Sequence, residues 1–426
     1  MRRTTGWPVA VRLIDIERPL HAIDDVERYS RVRVFVTQGS TLVGSVDIWN
    51  GGAPAISVLR LKDEIANHLG AALFKLDLQR KLLEGVPAAP ALPPMSVSIV
   101  VATCNRELDL RRCLASLVRQ RTRHAVEIIV VDNRPSCGVA QVVTKDFPSV
   151  RLLVEERPGL SYARNRGIAH ARGALIVTTD DDVEAPDDWI EKVIEPFARP
   201  EVMAVTGHVL PAELETQAQC RFESYGGLGK GFRSFEAGGE WFTGRDAAVP
   251  TWTLGATANA AFRAAIFADP RIGPMDEALG AGMPTGCSED TYLFYRILKA
   301  GGTIVYRPSA YVWHRHRASM ASLRSQIYAY SKGHVAYQLT TWLRDGDRRA
   351  LIRLGYSLPK TYLKRAWYRL RRRSDYTFSL IAIEILGNLA GPAALWRARR
   401  RVGRLGASER PVMERNDAVP LEGQAT

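Results

Sequence analysis

"VSIVVAT", residues 97–103, is a continuous apolar run rich in β-branched side chains. Such a run suits a strand buried on both faces, as in a sheet covered by helices on each side. The pattern then repeats. A helical stretch "LDLRRCLASLVRQ" (108–120) leads to a second buried strand, "EIIVVDN" (127–133). A further helix, the strand "VRLLVEE" (150–156), the helix "SYARNRGIAHARG" (161–173) and the strand "ALIVTTDDD" (174–182) follow. Strands alternating with helices of this length predict an α/β fold with a mainly parallel sheet. Ligands of such sheets bind beyond the carboxyl ends of the strands. Three polar endings fall there: Thr103–Cys104–Asn105, Asp132–Asn133 and Asp180–Asp182. No GxGxxG or GxxxxGK[ST] loop occurs, which argues against a dinucleotide fingerprint or a P-loop.

The rest of the chain divides around this core. Its 426 residues suggest more than one unit. Residues 1–85 read as a small α+β unit. "RVRVFVTQGSTLVGSVDIW" (31–49) alternates like a hairpin, and "LRLKDEIANHLGAALFKLDLQRKLLEG" (59–85) has helical spacing at Ile65, Leu69, Leu73 and Leu76. "VPAAPALPPM" (86–95) carries four prolines and reads as a semi-rigid linker. Residues 96–320 form the expected catalytic unit. Within it, "SYGGLGKGF" (224–232) and "LGAGMPTGC" (279–287) read as loops. "SEDTYLFYRILKAGG" (288–302) reads as a helix opened by a Ser/acid cap, and "TIVYRPSAYVWHRHR" (303–317) as a strand entering a basic loop.

Residues 321–406 read as helical and basic, and 407–426 as a polar, disordered tail. Between Thr341 and Ser408 there are sixteen Lys/Arg against four acids, an excess of +12 in a chain whose net charge is +13. Charge of this kind points to an anionic surface. "YTFSLIAIEILGNLAGPAALW" (376–396) is apolar, but Glu384, Asn388 and Pro392 interrupt it, so an interfacial or packed helix is preferred to a span. The five cysteines are scattered and form no CxxC pair, and the first residues hold no unbroken apolar stretch of signal-peptide type. A cytoplasmic protein at the inner face of the cell membrane is the expectation.

Asp180, Asp181 and Asp182 are the chemically loaded residues. Side chains at i and i+2 of a strand point the same way, so Asp180 and Asp182 can share one hard divalent cation, Mg²⁺ or Mn²⁺. Asp181 is left for another partner. A capping turn before the next helix is the other reading of the same triple.

The order of the strand ends resembles that of the family 2 glycosyltransferases, whose catalytic domain has the GT-A fold. The resemblance covers about 96–315. It is carried by "VSIVVATCNR", "VVDN", "RPGLSYARNRGIAHARG", "TTDDDVEAPDDWI", "LGATANAAFR" and "GCSEDTYLFYRILKAGG" in that order. It implies that Asp132, Thr103 and Arg106 line the nucleotide pocket and that Arg164 approaches the base or diphosphate. It implies that Asp182 is the direct metal ligand and that Asp181 lies near the ribose or sugar. All three positions of the triple are acidic, so the roles of Asp180 and Asp182 toward the metal stay open. The Glu289–Asp290 pair matches the family's catalytic "ED", with Asp290 as general base. His314 falls where members place a histidine near the metal, and His316 is close enough to compete. Trp252 would border the donor sugar, or belong to the core.

The activity implied is inverting, metal-assisted transfer of a sugar from a nucleotide donor, UDP in the first instance. The acceptor would be a hydroxyl of a lipid-linked or cell-envelope glycan. The basic C-terminal region would supply peripheral membrane contact, and no nucleic acid is expected. The rival expectations are a metal-dependent nucleotidyltransferase and a non-enzymatic basic membrane- or RNA-binding protein.

Overall fold

A computed structural model describes residues 6–84, 92–371 and 376–411. Residues 86–91 of the expected linker and 412–426 of the expected tail lie outside the described residues.

At the N-terminal end, β1 (Val9–Asp15), β2 (Arg31–Gln38) and β3 (Thr41–Trp49) form a three-stranded sheet in that order. The β2–β3 hairpin turns where the sequence placed it. The strand β1, running parallel to β2, has no counterpart in the sequence reading. Alternate residues of β3 are buried, and α1 (Val58–Leu82) lays Leu61, Ile65 and Leu69 on that face.

The main sheet begins at β4 (Ser96–Thr103). Then come α2 (Glu107–Leu117), β5 (Ala125–Asp132), α3 (Val139–Thr144), β6 (Val150–Val154), α4 (Leu160–Ala169) and β7 (Leu175–Asp180). All four of these strands run parallel, with β4 in the middle, paired to β5 and β7. Their side chains divide by parity. Ile99, Val101 and Val130 face α2 and the helix beyond β7, whereas Val100, Ile129 and Val131 face α4. Each such side chain, fully buried, stabilises the fold by about 1.5–3 kcal/mol. That two-sided burial is why these strands read as unbroken apolar runs.

The second half adds β8 (Val183–Glu184), α5 (Trp189–Ile194), β9 (Val202–Pro211), α6 (Gln217–Ser224), β10 (Phe235–Ala237) and α7 (Gly239–Thr243). After these come β11 (Asn259–Arg263), α8 (Ala265–Ala268), α9 (Glu289–Lys299) and β12 (Thr303–His314). The sheet runs β10-β12-β9-β11-β7-β4-β5-β6, and β8 pairs with the end of β12. The strand β11 is antiparallel to both its neighbours, β7 and β9. The acidic triple therefore sits where the chain leaves β7 in mid-sheet and crosses to β12.

The helices α10 (Met320–Asp345), α11 (Arg349–Ile352), α12 (Leu358–Leu370) and α13 (Phe378–Leu405) follow, with a π-helical turn at Arg353–Ser357 joining α11 to α12. The 376–396 segment lies in α13, packed along α10. Gly387 and Gly391 allow this approach, because a Cβ at either would stand 2.7 Å from the Tyr328 carbonyl oxygen or 2.5 Å from Val335 Cβ. By length and composition α13 is able to cross a membrane, yet 33% of its most apolar stretch is buried in the protein. Its outer stripe is apolar as well, with Leu386 59%, Leu389 73% and Trp396 59% exposed.

Candidate active site

The site is built on the carboxyl ends of β4, β5 and β7, as expected. Thr103 ends β4, and its hydroxyl donates to Asp181 Oδ2 at 2.8 Å. Arg106, at the start of α2, reaches across β7. Its Nη1 donates to Asp181 Oδ1 at 2.9 Å and to Asp182 Oδ2 at 2.5 Å. Asp181 thus turns inward, away from its two neighbours. Burial pushes its carboxyl up to about 6, against the attraction of Arg106. Burial would raise Asp182 too, but His314 and Arg106 win and hold it well below the usual carboxylate range.

Arg164 departs from the expectation of a group facing a nucleotide. It lies on α4 with 1% of its surface exposed. Its Nη2 donates to Asp180 Oδ1 at 2.6 Å, and its Nη1 donates to Thr257 Oγ1 at 2.6 Å and Glu289 Oε1 at 3.1 Å. One guanidinium therefore joins the acidic triple to the start of α9. The fork geometry of arginine makes such bridging specific. Burial and the adjacent Asp290 push Glu289 up to about 7, opposed by Arg164.

Asp290 follows on the same first turn. It is half-buried, and its Oδ1 accepts from the backbone N and hydroxyl of Thr291 at 2.6 and 3.0 Å. The expected Ser cap does not form. Ser288 has φ 82°, makes no side-chain cap bond, and places its hydroxyl 3.3 Å from Cys287 Sγ. In this left-handed conformation the residue acts as a corner that directs Glu289 and Asp290 and does not cap the helix.

His314 closes the site from the other side, because β12 pairs with β8 immediately after the triple. Its Nε2 stands 3.2 Å from Asp182 Oδ1. That oxygen is buried and accepts no hydrogen bond. Asp180, Asp182 and His314 each offer a ligand atom within 4.8 Å of the others. A buried carboxylate oxygen without a donor, beside a second carboxylate and an imidazole, fits a hard divalent cation such as Mn²⁺ or Mg²⁺. His316 is not a member of this set. It is buried one layer behind, between His314 and Glu223.

Asp132 is 3% exposed at the end of β5, level with Thr103, and its Oδ1 accepts from the Arg134 backbone at 2.8 Å. It and Asp290 stand beside the hydrogen-bonded cluster and not in it. Trp252 is half-buried and packs edge-on to His334, with Arg353 over its ring, so it joins the C-terminal helices to the catalytic unit. Sequence reasoning missed Thr257 as a partner of Arg164, although it lies inside the quoted motif "LGATANAAFR". It also missed Glu223 and Arg33, which no local pattern singles out.

Residues 98–268 match the family model described as glycosyl transferase family 2. Among curated relatives, a pre-mycofactocin glycosyltransferase of Mycobacterium tuberculosis is 26% identical over 306 residues, covering 68% of this chain and 58% of that protein. The chain thus spans somewhat over half the length of this relative. A glucosyl-dolichyl phosphate glucuronosyltransferase of Haloferax volcanii is 31% identical over 124 residues, 28% of this chain and 39% of that one. Of solved structures, the mannosyltransferase PcManGT from Pyrobaculum calidifontis, in complex with GDP-Man and Mn²⁺, aligns with a TM-score of 0.43 at 17% identity. It covers 80% of this chain and 86% of its own. The similarity to glycosyl transferase family 2 is thus carried by residues 98–268, the stretch that runs from β4 to β11 and holds the acidic triple.

Proposed function

We propose that the protein transfers a sugar from a nucleotide donor, UDP-linked, to the hydroxyl of a membrane-proximal acceptor, with inversion at the anomeric carbon. The observation that carries this reading is the buried Asp182 Oδ1, which accepts no hydrogen bond and faces Asp180 and His314 near the Glu289–Asp290 turn. Asp180, Asp182 and His314 would hold Mn²⁺ or Mg²⁺, which when bound offsets charge on the leaving diphosphate.

The chain's own residues do the remainder. Asp132 and Thr103 border the space for the base at the ends of β5 and β4. Arg106 is 39% exposed along its side chain and keeps a cation at the mouth of the site, where developing negative charge is stabilised. Arg164 holds the two acidic halves at fixed separation. Asp290 accepts the acceptor's proton as its oxygen attacks, because one carboxylate oxygen is tied to Thr291 and the other is left for substrate. Glu289, anchored on Arg164, is a positioning residue for that turn.

An acceptor held at a lipid surface fits the outer face of the C-terminal helices. Besides the stripe on α13, α12 exposes Leu363 and Leu370 to 73% and 71%, with Arg371 over Trp367 and Arg400 over Trp396. Apolar side chains rimmed by arginine suit an anionic bilayer interface. The Haloferax relative carries a dolichyl-phosphate acceptor in its name.

The test is thermal stabilisation by UDP with and without Mn²⁺, followed by a panel of nucleotide sugars. Metal-dependent stabilisation is expected. Asp290→Asn should keep it while losing transfer by about 10²–10⁴-fold. Stabilisation by RNA and none by UDP with Mn²⁺ would overturn the reading.

A further inference from the structure

Behind His314 runs a line of paired groups that ends in the N-terminal sheet. His314 Nδ1 lies 3.0 Å from His316 Nδ1, and His316 Nε2 lies 2.9 Å from Glu223 Oε1. Glu223 Oε2 stands 3.5 Å from Arg33 Nη1 on β2. Arg33 is itself clamped by Asp47 on β3, at 2.7 and 2.8 Å. The line is enclosed. The side chain of His316 is 1% exposed, its ring packs 4.8 Å from that of Phe222, and its carbonyl accepts from Gln219 at 3.2 Å. The same α6 that supplies Glu223 is fixed at its start by a reciprocal Thr216–Gln219 cap.

With a cation on His314 Nε2, hydrogen-bond chemistry leaves one proton order along this line. Glu223, facing the Arg33 guanidinium, is an acceptor, so His316 Nε2 must donate to it. A cation held on His314 Nε2 leaves that ring's one proton on Nδ1, and across the 3.0 Å contact His316 Nδ1 is then the acceptor. The opposing His314 Nδ1 must then donate. His314 Nε2 is left as the atom turned toward Asp182 and the cation site.

We infer that Glu223 and His316 are positioning residues that fix the tautomer of His314 so that its Nε2 is available to a divalent cation, and that Arg33 of the N-terminal sheet locks Glu223 in that task. The inference rests on the metal site proposed above and adds what stands behind it. Outer partners of a metal-bound histidine act by holding the ring and its tautomer in this way. It also assigns work to the N-terminal unit, whose β2 contributes the last group of the line.

The test has two readouts, neither of which is turnover. Two-bond ¹H–¹⁵N spectra of histidine-labelled protein loaded with diamagnetic Mg²⁺ should show a proton on Nδ1 of His314 and a bare Nδ1 on His316. A bare Nδ1 on His314 would overturn the inference. Free Mn²⁺ measured by electron paramagnetic resonance should show binding to the full chain. That binding should weaken about ten- to a hundredfold in Glu223→Ala and in His316→Phe, and in the same direction but less in Arg33→Met. His316→Phe keeps the ring volume, so it reports even where Glu223→Ala fails to fold. Unchanged Mn²⁺ affinity in a folded His316→Phe, with the parent chain binding Mn²⁺, overturns this inference alone. A parent chain that binds no Mn²⁺ overturns the metal site itself.

Discussion

Asp182 and Asp276 are both largely enclosed aspartates held by cations, and they are finished differently. Asp276, in the loop before α9, has every oxygen in use. Arg399 of α13 donates to it twice, at 2.6 and 2.8 Å. Arg344 of α10 donates at 3.1 Å and the Ala278 backbone at 3.0 Å. Asp182 has one oxygen on Arg106 and one that makes no hydrogen bond, with the His314 ring 3.2 Å away. A carboxylate whose lone pairs are all satisfied stabilises the packing around it. One left incomplete in a buried setting costs stability, and a ligand recovers it. The first clasp fastens the C-terminal helices to the catalytic unit, and the second has the form that the proposed cation would complete. Region by region, the difference separates what holds the fold from what the fold holds.

The sharpest way to break this comparison is to remove each carboxylate in turn. Asp182→Ala should lower sugar transfer by about 10³-fold, the scale of losing an electrostatic anchor in a site. It should leave the melting temperature close to that of the parent, since Arg106 keeps Asp181. A large loss of stability would mean that Asp182 is a structural clasp like Asp276. Asp276→Asn should do the reverse. Stripping one partner from a buried ion pair costs about 3 kcal/mol, read as a lower denaturation midpoint, with kcat/KM preserved where the variant is folded.

The Asp276 clasp also has a pH signature. Burial alone would raise this carboxyl, but Arg399 and Arg344 hold it below the ordinary range. Its folded value is therefore depressed. The stability it supplies is present above the unfolded value of about 3.9 and is lost as pH falls through the folded one. The gap between parent and Asp276→Asn should be full at neutral pH and close in acid below about pH 4. A gap independent of pH would show that the loss comes from packing and not from charge.

The smallest effect concerns the outer face of α13. Leu389→Glu should reduce co-sedimentation with anionic phospholipid vesicles by about tenfold, the scale of one exposed leucine withdrawn from a bilayer interface. Added salt should weaken binding of the parent as well. Equal binding of parent and variant would move the membrane contact elsewhere.

The parallel half of the sheet was legible because burial on both faces forces unbroken runs such as "VSIVVAT" and "EIIVVDN". The antiparallel insert was harder to see. The strand β11 reads "NAAFR", five residues in which two fully buried alanines stand where a β-branched signal would be. The strand β1 reads "VAVRLID", with an arginine interrupting the run, and its partner β2 begins sixteen residues after it ends. At the site, Asp180–Asp182, Glu289 and His314 announced themselves by motif. The position of Arg164 beneath the triple did not, because a helix arginine looks the same in sequence whether it faces water or two carboxylates. Glu223, His316 and Arg33 come from three distant segments, and only the fold sets them in line.

The corner at Ser288 has a practical consequence. A residue with a side chain held at positive φ costs the folded state about 1 kcal/mol or more, and glycine would relieve it. This is a position where selection for heat resistance and selection for turnover would pull in opposite directions. Thermostabilised descendants of this protein should accumulate changes elsewhere before they touch the turn that aims Asp290.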